Sequence, residues 1–309
     1  MIETQQLTKK YGDLVAIQDL SFRVEEGRIW GLLGPNAAGK TTTMRILTGY
    51  LPATAGRASV AGYDVFEQVE AVKQSIGYLP ETVPLYPEMT VESYLGFVAE
   101  IKRVPASRKK AAIDRAVQIA GLQSVRKRLI RNISRGFKQR TGIAQALIHN
   151  PRVVILDEPT IGLDPAQIKE IRDLIKSLKG EHTVMLSTHI LAEVKEVCDG
   201  VVIINEGRLM ASGSLEELAR SYSQNDGVYL KLDRTDGEIL TLFRQQLPGL
   251  KTAVVEGTEI RLEWPWGQDL RTQVLKLCLE RKLEIKEMRS LAMNIEELYL
   301  RIVSGGMEQ

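Results

Sequence analysis

Apolar positions in the first fifty residues come in short bursts, at residues 2–8, 15–20, 21–24 and 29–33. Turn-forming pairs, Gly12-Asp13 and Glu26-Gly27, separate them. This spacing predicts strands of an antiparallel sheet leading into one buried strand. Further along, strand-like, mostly apolar runs at 153–156, 184–187 and 201–204 alternate with helix-period stretches such as 167–178. A strand covered on both faces reads as a continuous apolar run, so the alternation predicts an α/β domain on a largely parallel sheet. Between these regions, residues 90–123 turn helical, with Thr90 as cap and helix-period apolar positions over 111–120, which predicts a helical insertion. A hairpin over 201–211, turning at Glu206-Gly207, closes the core. A short helix opening at Ser214-x-x-Glu217 follows, then a polar linker at 221–227.

The remaining residues repeat a different order. Strand patterns at 228–232, 251–255, 259–264 and 283–288 enclose helical patterns at 238–247 and 269–282. The order β-α-β-β-α-β is that of a split βαβ, ferredoxin-like α+β domain, with its second hairpin turning at Glu256-Gly257. A last helix at 295–302 docks back on it in this reading. The expected division is therefore 1–220, with a helical subdomain at about 82–141, and an accessory domain at 221–309.

Composition narrows the function classes. A chain of 309 residues with 44% hydrophobic and 26% charged residues is an ordinary globular protein, long enough for two domains. A formal charge of +2 gives no reason to expect nucleic acid or an anionic membrane as partner. The two cysteines, Cys198 and Cys278, lie far apart without metal-ligand spacing, so free thiols in a reducing compartment are expected. The amino terminus has neither a basic nor an apolar leader segment, and no apolar run approaches the roughly 18 residues of a membrane span. The expectation is a cytosolic protein whose membrane role, if any, runs through a partner.

The chemistry begins at residues 34–41, Gly34-Pro35-Asn36-Ala37-Ala38-Gly39-Lys40-Thr41, followed by Thr42. The pattern G-x-x-x-x-G-K-[ST] between an apolar strand and a helix is a phosphate-binding loop. Its N–H groups cradle β- and γ-phosphates at a helix N-terminus, Lys40 adds a point charge, and the Thr41 hydroxyl can sit on Mg²⁺. A second acid pair, Asp157-Glu158, ends the apolar run that starts after Arg152. A carboxylate there faces the phosphate loop and can hold Mg²⁺, which assigns Asp157 to the metal and leaves Glu158 to take a proton from an attacking water. The turn Ile133-Ser134-Arg135-Gly136-Phe137 opens an amphipathic helix and offers a second anion site, although capping explains Ser134 equally well.

With the phosphate loop, the Ser134-Arg135-Gly136-Phe137 turn, Leu156-Asp157-Glu158-Pro159-Thr160, Gly162-Leu163-Asp164 and Ser187-Thr188-His189 in this order, residues 1–220 resemble the ATPase subunits of ABC transporters. The resemblance implies a composite ATP site in a head-to-tail dimer, with Ser134 and Gly136 reaching the γ-phosphate of the partner's nucleotide. It also implies that Asp164 links the two sites, that His189 contacts the γ-phosphate and attacking water, and that Tyr11 stacks on adenine. On residue type alone, His189 would be a structural histidine and Tyr11 an ordinary strand-end tyrosine.

Three positions depart from the family pattern. Ala37 stands where glycine is usual. Arg135 and Phe137 alter the signature turn. Glu81, in Gly77-Tyr78-Leu79-Pro80-Glu81, replaces a glutamine that meets Mg²⁺ and the transmembrane partner; a carboxylate there can still bind metal. These forms resemble the exporter branch that pairs with a separate permease. The implied protein is an ATP- and Mg²⁺-dependent ATPase, peripheral on the cytoplasmic face of the cell membrane, working as a homodimer or with a similar subunit on integral-membrane permease subunits. The alternative is a soluble ABC-type ATPase acting on DNA or ribosomes, disfavoured by a single cassette without sustained heptads. Seven basic residues between Arg126 and Arg140 read as a solvated face, Trp264-Pro265-Trp266 as hairpin packing, and 84–87 as a rim of the permease groove or a rigid surface loop.

Overall fold

The computed structural model describes residues 1–222, 225–233, 237–256, 258–291 and 295–305. Packing divides the chain into two compact units, Met1–Ser214 and the residues from Leu215 onward. The first unit opens with β1 (Ile2–Tyr11), β2 (Leu14–Val24) and β3 (Ile29–Leu33). Then come α1 (Lys40–Leu47), β4 (Ala55–Val60), β5 (Tyr63–Asp64), α2 (Val69–Ser75) and β6 (Ile76–Leu79). The helical insertion holds α3 (Val91–Ile101), α4 (Ala106–Ile119) and the start of α5 (Arg135–Leu147). After it follow β7 (Val153–Asp157), α6 (Pro165–Ser177), β8 (Thr183–Thr188), α7 (Leu191–Val197), β9 (Gly200–Asn205) and β10 (Arg208–Ser214).

Two sheets form this unit. An antiparallel sheet has the order β2-β1-β4-β5, and a six-stranded sheet has the order β10-β9-β3-β8-β7-β6. In the larger sheet the pairs from β9 to β6 are parallel and only the edge strand β10 is antiparallel. Every residue of β3, β7 and β8 is buried, which is why their sequences show no alternation. Each buried Val, Ile or Leu there contributes about 1.5–3 kcal/mol relative to exposure.

The early strands were expected as two segments at 15–20 and 21–24; they are one continuous strand, β2, bent by register shifts against β1. Asp19 sits in that strand at φ 52°, where the register against β1 steps from Leu20 to Ile17, which makes a bulge. Thr90 caps α3, accepting a hydrogen bond from the Ser93 N–H at 3.1 Å.

The second unit contains α8 (Leu215–Tyr222), β11 (Asn225–Leu232), α9 (Gly237–Gln246), β12 (Thr252–Glu256), β13 (Glu259–Pro265), α10 (Arg271–Glu280), β14 (Ile285–Ser290) and α11 (Ile295–Gly305). Its strands pair antiparallel in the order β12-β13-β11-β14, over a core that includes Phe243, Leu262, Trp264 and Val274. Trp264 is wholly buried, so the Trp-Pro-Trp stretch does pack the end of a hairpin. Within the stretch expected as a linker at 221–227, α8 runs to Tyr222 and β11 starts at Asn225, and α8 belongs with the second unit. The expected turn residue Gly257 lies outside the described residues.

Candidate functional site

The phosphate loop leaves β3 at Leu33 and enters α1 at Lys40. Gly39 caps the helix at φ 99°, and a Cβ there would stand 2.5 Å from Ile17 Cγ2 and 2.8 Å from the Ala16 carbonyl oxygen. Both the backbone angle and the packing therefore require glycine. The turn between β9 and β10 braces the loop: the Gly207 N–H donates to the Ala38 carbonyl at 3.2 Å, and the Gln18 N–H donates to the Gly207 carbonyl at 2.7 Å. Ala37 is exposed at φ 65°. A left-handed alanine costs about 1–2 kcal/mol, which gives physical content to its departure from glycine.

Lys40 is nearly buried, and its Nζ donates to the carbonyl oxygens of Gly34 at 2.8 Å and Pro35 at 3.1 Å. It also lies 3.5 Å from Glu158 Oε1. Asp157 closes β7, level in the parallel register with Ser187 of β8. Ser187 Oγ donates to Asp157 Oδ1 at 2.5 Å and accepts the Glu158 N–H at 2.9 Å. The other oxygen, Asp157 Oδ2, is buried with no protein partner. Glu158 turns away at φ 48°, and its carboxylate faces His189 Nδ1 at 3.0 and 3.2 Å. Burial, with Asp157 adding its negative field, pushes the Tyr78 hydroxyl up to about 12, so it stays neutral beside this carboxylate.

A buried acid that sequence reasoning passed over ties the two halves of this arrangement together. Glu193 on α7 accepts from Thr160 Oγ1, two residues beyond Glu158, and from Thr188 Oγ1 at 2.7 Å, the residue before His189. Arg172 stands 3.9 Å away and balances part of its charge. The helix-period pattern of 191–197 hides Glu193 as one more polar position, so nothing local marks it.

These residues surround an open cavity of about 780 Å³. Asn36, Ala37, Gly39, Lys40, Thr41, Thr42, Glu81, Glu158 and His189 line it, as their motifs led one to expect. Gly34, Pro35 and Ala38 shape the loop from behind, and Asp157 lies deeper, 1% exposed. Leu14, Val15 and Ala16 give the cleft an apolar side that the sequence reading did not single out. Tyr11 is not among the lining residues; it is exposed at the end of β1, with Lys9 Nζ 5.2 Å from its ring centre. Nor does the single chain bring Ser134, Gly136 or Asp164 into this lining. Ser134 caps α5, accepting from the Phe137 N–H at 3.3 Å, and Asp164 caps α6, accepting from the Gln167 N–H at 2.9 Å. Arg135 Nη2 donates to the Ile161 carbonyl at 3.1 Å, so the unusual residue of the signature turn is spent within its own chain.

Three of the seven basic residues between Arg126 and Arg140 are paired with acids. Arg126 pairs with Glu92 and Asp114, Arg131 with Glu88, and Arg140 with Glu170.

Comparison with known proteins decides the family. The model of the ABC transporter family matches residues 17–161. A bacitracin transport ATP-binding protein, BcrA of Bacillus licheniformis, is 35% identical over 309 residues, covering 99% of this chain and 98% of that one. This chain belongs to the ATP-binding subunits of ABC transporters. A solved ATP-binding subunit of an ABC transporter superposes on the ABC ATPase with a TM-score of 0.65 at 30% identity, covering 72% of this chain and 93% of that one. CbiO1 of Clostridium perfringens, described as part of the ABC transporter complex cbiONQ, gives a TM-score of 0.65 at 25% identity, over 80% of this chain and 95% of its own. The ABC ATPase thus binds nucleotide and hydrolyses ATP in the service of transport. Nothing in these likenesses favours action on DNA or ribosomes. Among the described residues no helix is long and apolar enough to cross a membrane.

Proposed function

We propose that the chain powers a membrane exporter, closing as a dimer on two ATP molecules and acting on a separate permease at the cytoplasmic face of the cell membrane. The observation that carries the site assignment is the placement of Glu158 between Lys40 and His189, at the mouth of a phosphate loop. A carboxylate held there orients a water and accepts its proton, while His189 fixes the carboxylate's direction. Loop N–H groups and Lys40 hold the phosphates, so catalysis rests on positioning and electrostatics.

The residues also fit Mg²⁺. Among the described residues there is no cluster of three or more metal-ligating side chains. Mg²⁺ needs only one or two carboxylates beside hydroxyl, water and phosphate oxygens. Asp157 Oδ2, buried and unpartnered, supplies one, and Thr41 and Glu81 stand in the cleft. Bound there, the ion would neutralise charge on the phosphate oxygens. The apolar side at Leu14 and Val15 suits an adenine face, and Tyr11 stands opposite Leu14 in the register of β1 and β2.

Support for a composite site comes from Ser134, Gly136 and Asp164, which carry the family's motif yet stand off their own chain's cleft. A second copy, or a similar subunit, would present them. The likeness along the whole chain to BcrA, a bacitracin transport ATP-binding protein, supports transport of bacitracin or a similar compound, and the likeness to CbiO1 supports assembly into a larger transporter complex. The test is Glu158→Gln: turnover falls by about 10²–10⁴-fold, and the protein becomes a stable dimer in Mg-ATP by size-exclusion chromatography. A monomer under those conditions, or undiminished hydrolysis, overturns the reading.

A further inference from the structure

At the opposite edge of the parallel sheet lies a second cavity, of about 700 Å³, where β6 and β7 begin. Its lining shares no residue with the nucleotide cleft. Four cations face it, Lys102 and Arg103 from the end of α3 and Arg108 and Arg115 from α4, and the lining contains no carboxylate.

That imbalance is local and structural. The nearby acids are already engaged: Glu100 pairs with Lys109, Asp114 with Arg126, and Glu70 with Lys73. Among the described residues none of the four cavity cations takes part in an ion pair. Lys102 Nζ is held by the carbonyl oxygens of Lys73 at 3.1 Å and Ile76 at 3.2 Å, and Arg115 Nη2 by those of Leu147 at 3.2 Å and Ile148 at 3.4 Å. These contacts fix the two cations in place and return only partial charge, because helix-end carbonyls carry fractions of a unit. Arg103 and Arg108 have no side-chain hydrogen bond among the described residues, and both are exposed at the cavity rim. Clustered like charges in a concavity focus a positive field and gather anions.

The dimensions and the wall chemistry specify the anion. A volume of 700 Å³ falls in the range of roughly 300–1,000 Å³ typical of small-molecule sites and is too roomy for a lone oxyanion. Arginine forks bind phosphate in a bidentate manner, and Val104 and Pro105 add an apolar surface and Asn150 an amide for the rest of a ligand. We propose that this cavity binds a phosphorylated organic anion, independently of the nucleotide cleft. The same chemistry is presented by a soluble phosphate ester and by a phospholipid headgroup.

The experiment compares the full chain with Arg103→Glu/Arg108→Glu, two substitutions outside the nucleotide machinery, with ATPase activity as the check on folding. Pyrophosphate is titrated calorimetrically, and flotation is measured with phosphatidylglycerol and with phosphatidylcholine vesicles. For a soluble ligand, the wild-type chain takes up one more pyrophosphate than the variant. For a headgroup, uptake matches in the two proteins, but only the wild type floats with phosphatidylglycerol and neither floats with phosphatidylcholine. Equal uptake together with equal flotation overturns the proposal. Should the double variant lose ATPase activity, Arg108→Gln serves instead. It is expected to weaken the extra pyrophosphate site or the phosphatidylglycerol binding about tenfold, as loss of a charge-assisted hydrogen bond requires, and unchanged binding of both probes overturns the proposal.

Discussion

Ser187 Oγ donates to Asp157 Oδ1 at 2.5 Å and leaves the second carboxylate oxygen buried and unpartnered. The same hydroxyl accepts the Glu158 N–H, so one serine orients both members of the acid pair. Outer partners of this kind commonly change metal affinity by 10–100-fold. Ser187→Ala should raise the Mg²⁺ concentration that half-saturates ATPase activity by about tenfold or more, beside a stability loss of about 1–3 kcal/mol for the buried Glu158 N–H left unpaired. An unchanged Mg²⁺ dependence would separate Ser187 from metal binding.

Glu193 joins Thr160 and Thr188, and through them the backbone on either side of Glu158 and His189. Removing it leaves two buried hydroxyls without their acceptor, at about 1–3 kcal/mol each. Glu193→Ala should lower kcat about tenfold or more with a small change in the KM for ATP, whereas Glu193→Gln, which keeps an acceptor, should retain most of the activity. Equal loss in both variants, or a loss carried by KM, would assign Glu193 to folding alone.

Ala37 holds φ 65° in the phosphate loop. Ala37→Gly removes the left-handed penalty and returns some unfolded-chain entropy, a net gain of about 1 kcal/mol. Chemical denaturation of the first unit within the intact chain should shift to higher denaturant. A shift to lower denaturant would mean that the methyl group packs favourably.

His149 gives a pH prediction. Burial, and after it the neighbouring Lys102, lower its pKa from 6.5 to about 4, while its Nε2 lies 3.0 Å from the Ile76 carbonyl. The folded state therefore holds fewer protons than the unfolded chain between these values. Its contribution is complete above pH 6.5 and is lost as the pH falls through about 4. Between pH 7 and 5 the loss is on the order of 2 kcal/mol. Denaturant titrations should show that slope in the wild type and a flatter one in His149→Gln. Equal slopes would place the acid sensitivity elsewhere.

Much of this was legible along the chain. The phosphate loop could be read because its function demands glycines and a lysine at fixed spacing, and α1 over Lys40–Leu47 follows from it directly. The buried strands could be read because two-sided burial removes alternation. The order of elements in the second unit followed for the same local reasons. The bulge in β2 escaped, because the register shift at Asp19 exists only against its partner β1.

By itself, then, the sequence determined the ligand class and most of the element order, since each rests on residues close together in the chain. Only tertiary structure decided which residues meet. Register across β7 and β8 brings Ser187 to Asp157, thirty residues away, and packing of α7 brings Glu193 to Thr160. The same holds for charge. In the basic run at 126–140, acids from α3, α4 and α6 meet Arg126 and Arg140. The cations of α3 and α4, unremarkable in sequence, meet around a cavity with no acid at all. Charge balance is a property of neighbours in space, and the chain order does not carry it.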